Sequence, residues 1–265
     1  MELLPAVHLH AYRSALPFPL GTALADLKQA VNTSSEAGTG SGTSDLLRLY
    51  ESAVSSSQIE GSKVTLNIYK DTVEAAGDRP EPRDVQEVTD LVNAYHFAQA
   101  NTLSLQNLLK AHGILANLLV GANNRGAWRS KGVKVGNAYT TVYLAPHQLL
   151  VPELMAQLFR EVVALNARTL STEEAFYFAA MLHLAFVDIH PFIDGNGRTT
   201  RLLEKWFLAQ HIGPLAWSIR SEKYIINHRD EYYDALRAVG PQWGSLDLAR
   251  SIPFLLLLPQ ALLYM

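Results

Sequence analysis

The sequence contains no cysteine among its 265 residues. This absence excludes disulfide bonds, thiolate zinc sites and thiol nucleophiles, and it is typical of proteins in a reducing compartment. An excess of one charge is also lacking, because 22 basic residues are balanced by 25 acidic ones and the formal net charge is -3. Such a chain has no overall field that would hold it on nucleic acid or on an anionic membrane. Any site for phosphate groups must therefore be local.

Long hydrophobic runs are scarce as well. Residues 1–5 lack the basic and apolar regions of a secretory signal. The longest apolar stretch, residues 252–265, is interrupted by proline and is shorter than the roughly 20 residues that span a bilayer. We therefore expect a cytoplasmic protein without membrane or nucleic-acid partners, in which this last stretch closes the core or forms a homodimer contact.

Helical periodicity runs through most of the chain. Strands that alternate with helices are not indicated, which argues against a doubly wound α/β sheet. The fold class that we predict is mainly α, a helical bundle with one β-hairpin. The segments with helical spacing of apolar residues are 23–30, 46–54, 84–100, 103–119, 151–166, 171–187 and 197–210.

Two segments depart from this periodicity. Residues 32–44 are rich in Gly, Ser and Thr, which predicts a flexible loop between two helices. Residues 133–144 are rich in Val and Tyr around Gly136 and Asn137, and this composition is typical of a β-hairpin. A third local signal, Ser171 followed by Glu174, predicts a capping box at the start of a helix.

The most informative segment is residues 190–201, with the sequence HPFIDGNGRTTR. If one helix ends near Val187 and the next begins near Asn196, the residues between them form a short loop. Gly195 and Gly197 can then let backbone N–H groups face outward at a helix N-terminus, which favours a bound phosphate. The segment therefore predicts a nucleotide site.

The polar side chains of this segment have matching chemistry. An unperturbed histidine, with a pKa near ~6.5, can take a proton from an attacking hydroxyl, which suits His190 as a base. Asp194 is a hard oxygen ligand for Mg²⁺ held jointly with nucleotide phosphates. Asn196 can add a side-chain donor. Arg198 and Arg201 are three apart, so they share a helix face, and guanidinium groups match phosphate oxygens.

Two other interpretations compete with a nucleotide site. The segment could be a polar connecting turn with its arginines in surface ion pairs, although so many coincident residue types argue against it. His183, Asp188, His190 and Asp194 could instead form the metal cluster of a hydrolase. However, a histidine such as His183, inside an apolar helical pattern, is more often a buried core residue.

A second, distant element offers a carboxylate. Ser56 and Glu60 are four residues apart and therefore lie on one helix face, and Gly61 can end that helix in a left-handed conformation. Glu60 could oppose one of the arginines in residues 190–201. The alternative is that Glu60 belongs to a solvated helix surface, which is the usual place of a glutamate.

Residues 190–201 match in full the pattern H-x-F-x-[D/E]-G-N-G-R-x-x-R and so resemble the Fic family of nucleotidyl transferases. The likeness extends to residues 126–129 and 133–136, which are similar to the approach to that family's substrate-docking hairpin, or flap. It covers about residues 46–236. The resemblance implies transfer of AMP from ATP to a Ser, Thr or Tyr hydroxyl of a target protein.

The resemblance also implies roles for individual residues. Asn227 and Tyr233 follow residues 190–201 at a distance where family members contact the nucleotide base, although aromatic residues at that spacing are often only core. The implied roles are His190 as general base, Phe192 as the core anchor of the loop, Asp194 as the Mg²⁺ ligand, Gly195, Asn196 and Gly197 as the anion hole, and Arg198 and Arg201 as holders of the outer phosphates.

Residues 56–61 resemble the family's inhibitory motif, [S/T]-x-x-x-E-[G/N]. This likeness implies that Glu60 pairs with Arg201 and denies that arginine to the γ-phosphate, and that Glu60 can position a water for removal of AMP. A nucleotide sensor without transfer, and transfer of a group other than AMP, stay open. The regions we expect are a helical region with the inhibitory helix over residues 1–80, a catalytic core over 81–240 and a helical closure over 241–265.

Overall fold

The computed structural model of the protein describes residues 2–36, 41–76, 82–136 and 141–264. Helices dominate these residues, and one antiparallel pair of strands is present, which confirms the predicted fold class. Buried apolar side chains from Leu3 to Leu262 form one continuous core. The helices of the first half are α1 (Leu9–Ala15), α2 (Leu20–Glu36), α3 (Ser41–Ile59), α4 (Leu66–Ala76), α5 (Arg83–Ala100) and α6 (Leu105–Leu115).

The loop predicted over residues 32–44 is shorter than expected. Helix α2 continues to Glu36 and α3 begins at Ser41, so both helices extend into this segment. The described part of this segment contains one glycine, Gly42, and no proline, and Ser and Thr have intermediate helix propensity, so its composition does not prevent helix formation. Residues 37–40 lie outside the described part of the chain.

The second half is built around two consecutive helices. Nearly every residue of α8 is buried, so its apolar side chains are not confined to one face. The predicted capping box is present, because Ser171 Oγ accepts from Glu174 N and Ser171 N donates to Glu174 Oε2. The helices of this half are α7 (Val151–Asn166), α8 (Thr172–Ile189), α9 (Asn196–Ile212), α10 (Ser221–Asn227), α11 (Arg229–Val239), α12 (Ile252–Leu255) and α13 (Leu257–Gln260).

The two strands are β1 (Lys134–Gly136) and β2 (Thr141–Leu144), with Val135 opposite Tyr143. They confirm the predicted hairpin, although Asn137 and Tyr139 lie outside the described residues. The hydroxyl of Tyr143 donates to the carbonyl oxygen of Asp188 at 2.8 Å, which ties β2 to the end of α8. The hairpin is thereby fixed beside the loop that carries His190.

The C-terminal stretch packs into the core, which is one of the two places that the sequence predicted for it. It forms the short helices α12 and α13 rather than one long helix, since Pro253 and Pro259 supply no backbone N–H for a continuous helix. Leu257, Leu258 and Leu262 are buried there. None of the helices in the described ranges combines the length and the apolar character needed to cross a membrane. The dimer contact stays a prediction.

A buried ion pair joins four helices. Lys205 Nζ of α9 donates to Glu222 Oε2 of α10 at 2.6 Å and to Ser52 Oγ of α3 at 2.7 Å, and both charged side chains are fully buried. The hydroxyl of Tyr95 on α5 donates to the other oxygen of Glu222. Because α3 carries Glu60 at its end, this ion pair fixes the helix that leads to Glu60.

We expect Lys205→Met to lower the free energy of unfolding by roughly 3 to 5 kcal/mol, because the change leaves the Glu222 carboxylate buried without its counter-charge. Urea denaturation followed by circular dichroism measures this value. The matched control is Arg160→Met, which removes an ion pair with Glu153 whose side chains are 63% and 74% exposed. The control should lose less than about 1 kcal/mol. Equal losses in the two variants would contradict the expectation.

Candidate active site

The loop between α8 and α9 has an unusual backbone at each end. His190 has φ 50° and ψ 60°, a left-handed conformation that non-glycine residues rarely adopt, and Gly195 has φ 79°. His190 ends α8 through a hydrogen bond from its N–H to the carbonyl of Phe186. The left-handed residue turns the chain sharply, so that α9 begins six residues later.

Arg129 holds the first turn of this loop. Its side chain is buried, and its Nε donates to the carbonyl of His190 at 2.7 Å. The other guanidinium nitrogens donate to the carbonyls of Lys131 and Pro146 at 2.9 and 2.6 Å. The sequence drew attention to residues 126–129 only through their resemblance to the flap approach. The role of Arg129 was missed, since its partners are backbone carbonyls and leave no side-chain pattern.

Phe192 anchors the middle of the loop in the core, as expected. Its ring is fully buried and stacks on the imidazole of His112 with 3.5 Å between ring centroids. Asn196 fixes the backbone of the same residue, because its Oδ1 accepts from Phe192 N and its Nδ2 donates to Phe192 O, both at 2.9 Å. The side chain of Asn196 is therefore engaged within the loop. The side-chain donor that the sequence predicted for a ligand is bound to Phe192 O instead.

His112 is a second residue that the sequence did not point out. Burial lowers its pKa to about 4, so the imidazole is neutral at physiological pH. Its Nδ1 accepts from the N–H of Gly126 at 2.9 Å, which leaves Nε2 protonated to donate to the carbonyl of Asp194 at 3.1 Å. A histidine within the apolar pattern of α6 was the only sequence signal for this contact.

His190 has the protonation state of a base. Burial lowers its pKa to about 4, and the nearby charge of Arg129 acts in the same direction. The ring Nδ1 lies 3.3 Å from the carbonyl of Val187, which requires the proton on Nδ1. The lone pair is then on Nε2. A neutral imidazole with a free Nε2 can accept a proton from a hydroxyl group.

The N-terminus of α9 presents its first N–H groups next to this base. The first backbone bond of the helix runs from Thr199 N to Gly195 O, so the preceding N–H groups have no acceptor within the helix. The dipole of the helix adds to their attraction for an anion. This geometry fits the phosphate site that the glycines of residues 190–201 predict, and the N-terminus of α9 is called the anion site below.

The carboxylate of Glu60 lies against this anion site. A Cβ atom placed on Gly197 would be 2.1 Å from Glu60 Oε1, so only glycine leaves room for the carboxylate at that distance. Glu60 follows the last residue of α3, where Gly61 has the expected left-handed φ of 101° and Ser62 N donates to Ser57 O. The capped end of α3 thus directs a carboxylate onto the N-terminus of α9.

Arg201 binds both residues that the sequence placed on one face of α3. Its buried guanidinium donates from Nη2 to Glu60 Oε1 at 2.8 Å and from Nε to Ser56 Oγ at 2.8 Å. Burial opposes ionisation of Glu60, but the attraction of Arg201 prevails and holds the pKa of Glu60 below its ordinary value. Glu60 is therefore a carboxylate at neutral pH. The predicted contact of Glu60 with Arg201 is present.

Arg198 also has an acidic neighbour. Its Nη2 lies 3.7 Å from Glu87 Oε2 on α5, and Glu87 Oε1 in turn accepts from Arg83 Nε at 3.4 Å. The Nε of Arg198 is buried and has no hydrogen-bond partner in the described part of the chain. An oxygen-rich ligand at the anion site could supply the missing acceptor. Glu87 was missed, because a glutamate on a helical pattern carries no signal of its own.

Asp194 is suited to bind Mg²⁺ through a single carboxylate. Its side chain is exposed beside the anion site, and Oδ1 accepts from Gly195 N at 2.6 Å. The other carboxylate oxygen makes no hydrogen bond to any residue the structure describes. Mg²⁺ usually takes one or two protein carboxylates together with phosphate oxygens and water. Asp194 would hold Mg²⁺ in this way only when phosphates are bound.

The two residues expected near a nucleotide base lie in different surroundings. Tyr233 of α11 contacts the guanidinium of Arg229, and its pKa is raised by burial and by the charge of Glu60. Asn227 of α10 is exposed and donates to the hydroxyl of Tyr264. The charge of Glu60 therefore affects the electrostatic surroundings of Tyr233, whereas Asn227 contacts the C-terminal segment.

The alternative of a hydrolytic metal cluster is wrong for this structure. The described residues contain no group of three or more His, Cys, Asp or Glu side chains placed to hold a metal ion. His183 is buried, with Nδ1 bound to Glu204 at 2.8 Å and Nε2 bound to the hydroxyl of Tyr232 at 3.0 Å. Both ring nitrogens are thus engaged within the core. The interpretation of His183 as a core histidine is confirmed.

Comparison with known proteins identifies relatives of this site. Residues 102–208 match the Fic/DOC family. A protein adenylyltransferase Fic of Nematostella vectensis is 29% identical over 160 residues, which make up 56% of this chain and 34% of that protein. The protein adenylyltransferase fic-1 of Caenorhabditis elegans is 30% identical over 150 residues, with coverages of 55% and 28%. The chain thus spans about a third or less of the length of these curated relatives.

Solved structures share the fold. A Fic family protein from Desulfovibrio desulfuricans G20 superposes with a TM-score of 0.67 at 26% identity, covering 93% of this chain and 74% of that one. A Fic domain-containing signaling protein from Bacteroides thetaiotaomicron VPI-5482 also has a TM-score of 0.67, with coverages of 91% and 93%. Its identity is 18%, so this second likeness shows the fold alone.

We expect the imidazole of His190 to titrate with a midpoint of about 4 and to carry its proton on Nδ1 between pH 6 and pH 8. The reason is that burial disfavours the charged form, and the Val187 carbonyl selects the tautomer. Two-dimensional ¹⁵N NMR of the histidine rings measures both properties. The His190 signals are assigned by their loss in His190→Gln. A midpoint near the ordinary histidine value would contradict the expectation.

Proposed function

Because residues 102–208 match the Fic/DOC family, we propose that this chain is an autoinhibited protein adenylyltransferase. It transfers AMP from ATP to the hydroxyl of a Ser, Thr or Tyr side chain in a target protein. The observation that carries the proposal is the placement of one carboxylate. Glu60 lies on the anion site of α9 and bonds Arg201, beside a neutral His190.

The reaction follows from the charges around His190. Its Nε2 takes the proton of the target hydroxyl, and the hydroxyl oxygen attacks the α-phosphorus of ATP. A bond forms from that oxygen to the α-phosphorus, the bond to the bridging oxygen breaks, and pyrophosphate leaves with the electron pair. The N–H groups at the start of α9 stabilise the negative charge that develops on the phosphate oxygens. Arg198 and Arg201 would bind the outer phosphates.

The cofactor proposed for this reaction is Mg²⁺, with Asp194 as its protein ligand. The carboxylate of Asp194 is exposed, so it can bind a metal ion that arrives with the nucleotide. Mg²⁺ prefers hard oxygen ligands of this kind. The bound ion would neutralise part of the negative charge of the phosphates. Asp194 also fixes the loop by accepting from Gly195 N, so the same side chain orients the anion site.

Autoinhibition follows from competition for the same groups. A carboxylate at a helix N-terminus and a phosphate at that terminus need the same N–H groups and the same helix dipole. The Nη2 group of Arg201 cannot donate the same hydrogen bond to Glu60 and to a γ-phosphate at the same time. In this proposal Glu60 therefore weakens productive binding of ATP until it is displaced. From the same place, Glu60 could orient a water that removes AMP from a modified target.

We predict that Glu60→Gly increases transfer of label from α-labelled ATP to protein by roughly 10- to 100-fold, since a charged hydrogen bond contributes about 1.5 to 3 kcal/mol. Wild-type and variant chains are incubated with Mg²⁺ and a cell lysate as the source of target hydroxyls. Label in protein is then counted after denaturing gel electrophoresis. The double change Glu60→Gly with His190→Ala should return the signal to background.

Three controls make the result specific. Glu153→Gly removes an exposed glutamate of α7 and should behave as wild type. With γ-labelled ATP, Glu60→Gly should give no more labelled protein than wild type, because the γ-phosphate leaves in pyrophosphate and any label from kinases in the lysate is the same for both. Binding of ATP is measured by calorimetry in parallel. If Glu60→Gly binds ATP but labels no protein with α-labelled ATP or UTP, the chain is a nucleotide sensor and the transferase proposal fails.

A further inference from the structure

A second cavity lies on another side of α8. Its volume is about 120 Å³, and its lining includes none of the residues 190–201. One wall is a stripe of α8 with helical spacing, which consists of Met181, Leu184, Ala185 and Asp188. The N-terminal segment and the chain after α11 close the other sides. The main apolar residues contributed by those two segments are Leu3, Trp243, Leu246 and Leu248.

Asp188 is the unusual member of this lining. Its side chain is 5% exposed, and its carboxyl group makes no hydrogen bond to any residue in the described ranges. A buried polar group without a partner destabilises the fold, so such groups are rare in native proteins. Burial raises the pKa of Asp188 to about 8, which leaves most of the group protonated at neutral pH. The carboxyl group is therefore available to a partner that enters the cavity.

The surroundings of Asp188 favour a cation. Glu2 of the N-terminal segment lines the same cavity and adds a second acid. The hydroxyl of Tyr143 is committed to the backbone carbonyl of Asp188, and the guanidinium of Arg129 to neighbouring backbone carbonyls. An anionic ligand would be repelled by Glu2, and a hydrocarbon would leave the carboxyl group of Asp188 unpaired. A cationic group would pair with Asp188.

We propose that this cavity binds a small primary amine, with its apolar body among the side chains of α8 and its ammonium group on Asp188. An engineered apolar cavity of about 150 Å³ accommodates benzene. This cavity is smaller, at about 120 Å³, so its size suits a short branched alkyl chain rather than an aromatic ring. The ammonium group donates to the carboxylate of Asp188 in a buried, charge-assisted hydrogen bond. Binding releases the proton of Asp188 to solvent when the pH is below 8.

The test is a calorimetric titration of the full chain with isobutylamine, with isobutyl alcohol as a neutral probe that has the same alkyl chain. Wild type should bind isobutylamine, and Asp188→Asn should bind it at least about tenfold more weakly, because the amide cannot neutralise the ammonium charge. Isobutyl alcohol should not distinguish the two proteins by more than about twofold. Equal affinity of wild type and Asp188→Asn for isobutylamine, or no binding to wild type, overturns the proposal.

The pH dependence gives a second test that needs no variant. Since Asp188 must lose its proton, the affinity of wild type for isobutylamine should rise about tenfold from pH 6 to pH 7 and level off above pH 8. An alkylammonium group keeps its charge over this range. An affinity that does not change with pH would overturn the proposal even if Asp188→Asn failed to fold. Neither readout uses ATP or group transfer, so the outcome is independent of the proposed function.

Discussion

The constraint on which the site depends is the burial of the guanidinium of Arg201. A side chain that is 1% exposed keeps its positive charge, so the fold has to supply acceptors and a counter-charge around it. Ser56 supplies two acceptors, its Oγ at 2.8 Å and its carbonyl at 2.9 Å, and Glu60 supplies the counter-charge. All three acceptors come from the C-terminal part of α3. The position of α3 on α9 is thus coupled to the electrostatics of the anion site.

The loop that carries His190 depends on the opposite condition, namely histidines that remain uncharged. Burial lowers the pKa of both His112 and His190 to about 4, so each ring is a neutral hydrogen-bonding group with one donor and one acceptor. His112 uses both nitrogens to hold Gly126 and Asp194, whereas His190 uses only Nδ1. His112 therefore has a structural role, whereas Nε2 of His190 remains free for the proposed proton transfer. Protonation of His112 at Nδ1 would break its bond to Gly126 N, but Nε2 of His190 can accept a proton without loss of the bond from Nδ1 to Val187.

The extent to which the site could be predicted differs between its parts. The helices followed from periodicity, and the contact of Glu60 with Arg201 followed from spacing together with family resemblance. The roles of Asn196 and Arg129 did not, because both side chains bond backbone carbonyls or amides, and such partners have no sequence signature. The length of α3 was also underestimated, since Ser, Gly and Thr at its start predicted a loop where the backbone is helical.

Several side chains hold α3 in place, and Glu60 is the one that depends least on buried contacts. Lys205 binds Ser52 within a fully buried ion pair, and Arg220 forms two hydrogen bonds of 2.6 Å with Glu51. Neither contact involves Glu60, whose side chain is 33% exposed at the end of the helix. Rotation of one carboxylate away from α9 would leave Arg201 with both bonds to Ser56 and vacate one guanidinium donor. The energy needed to open the anion site is therefore much smaller than the energy that would undock α3, because only one hydrogen bond and one ion pair have to be exchanged for bonds to an incoming phosphate.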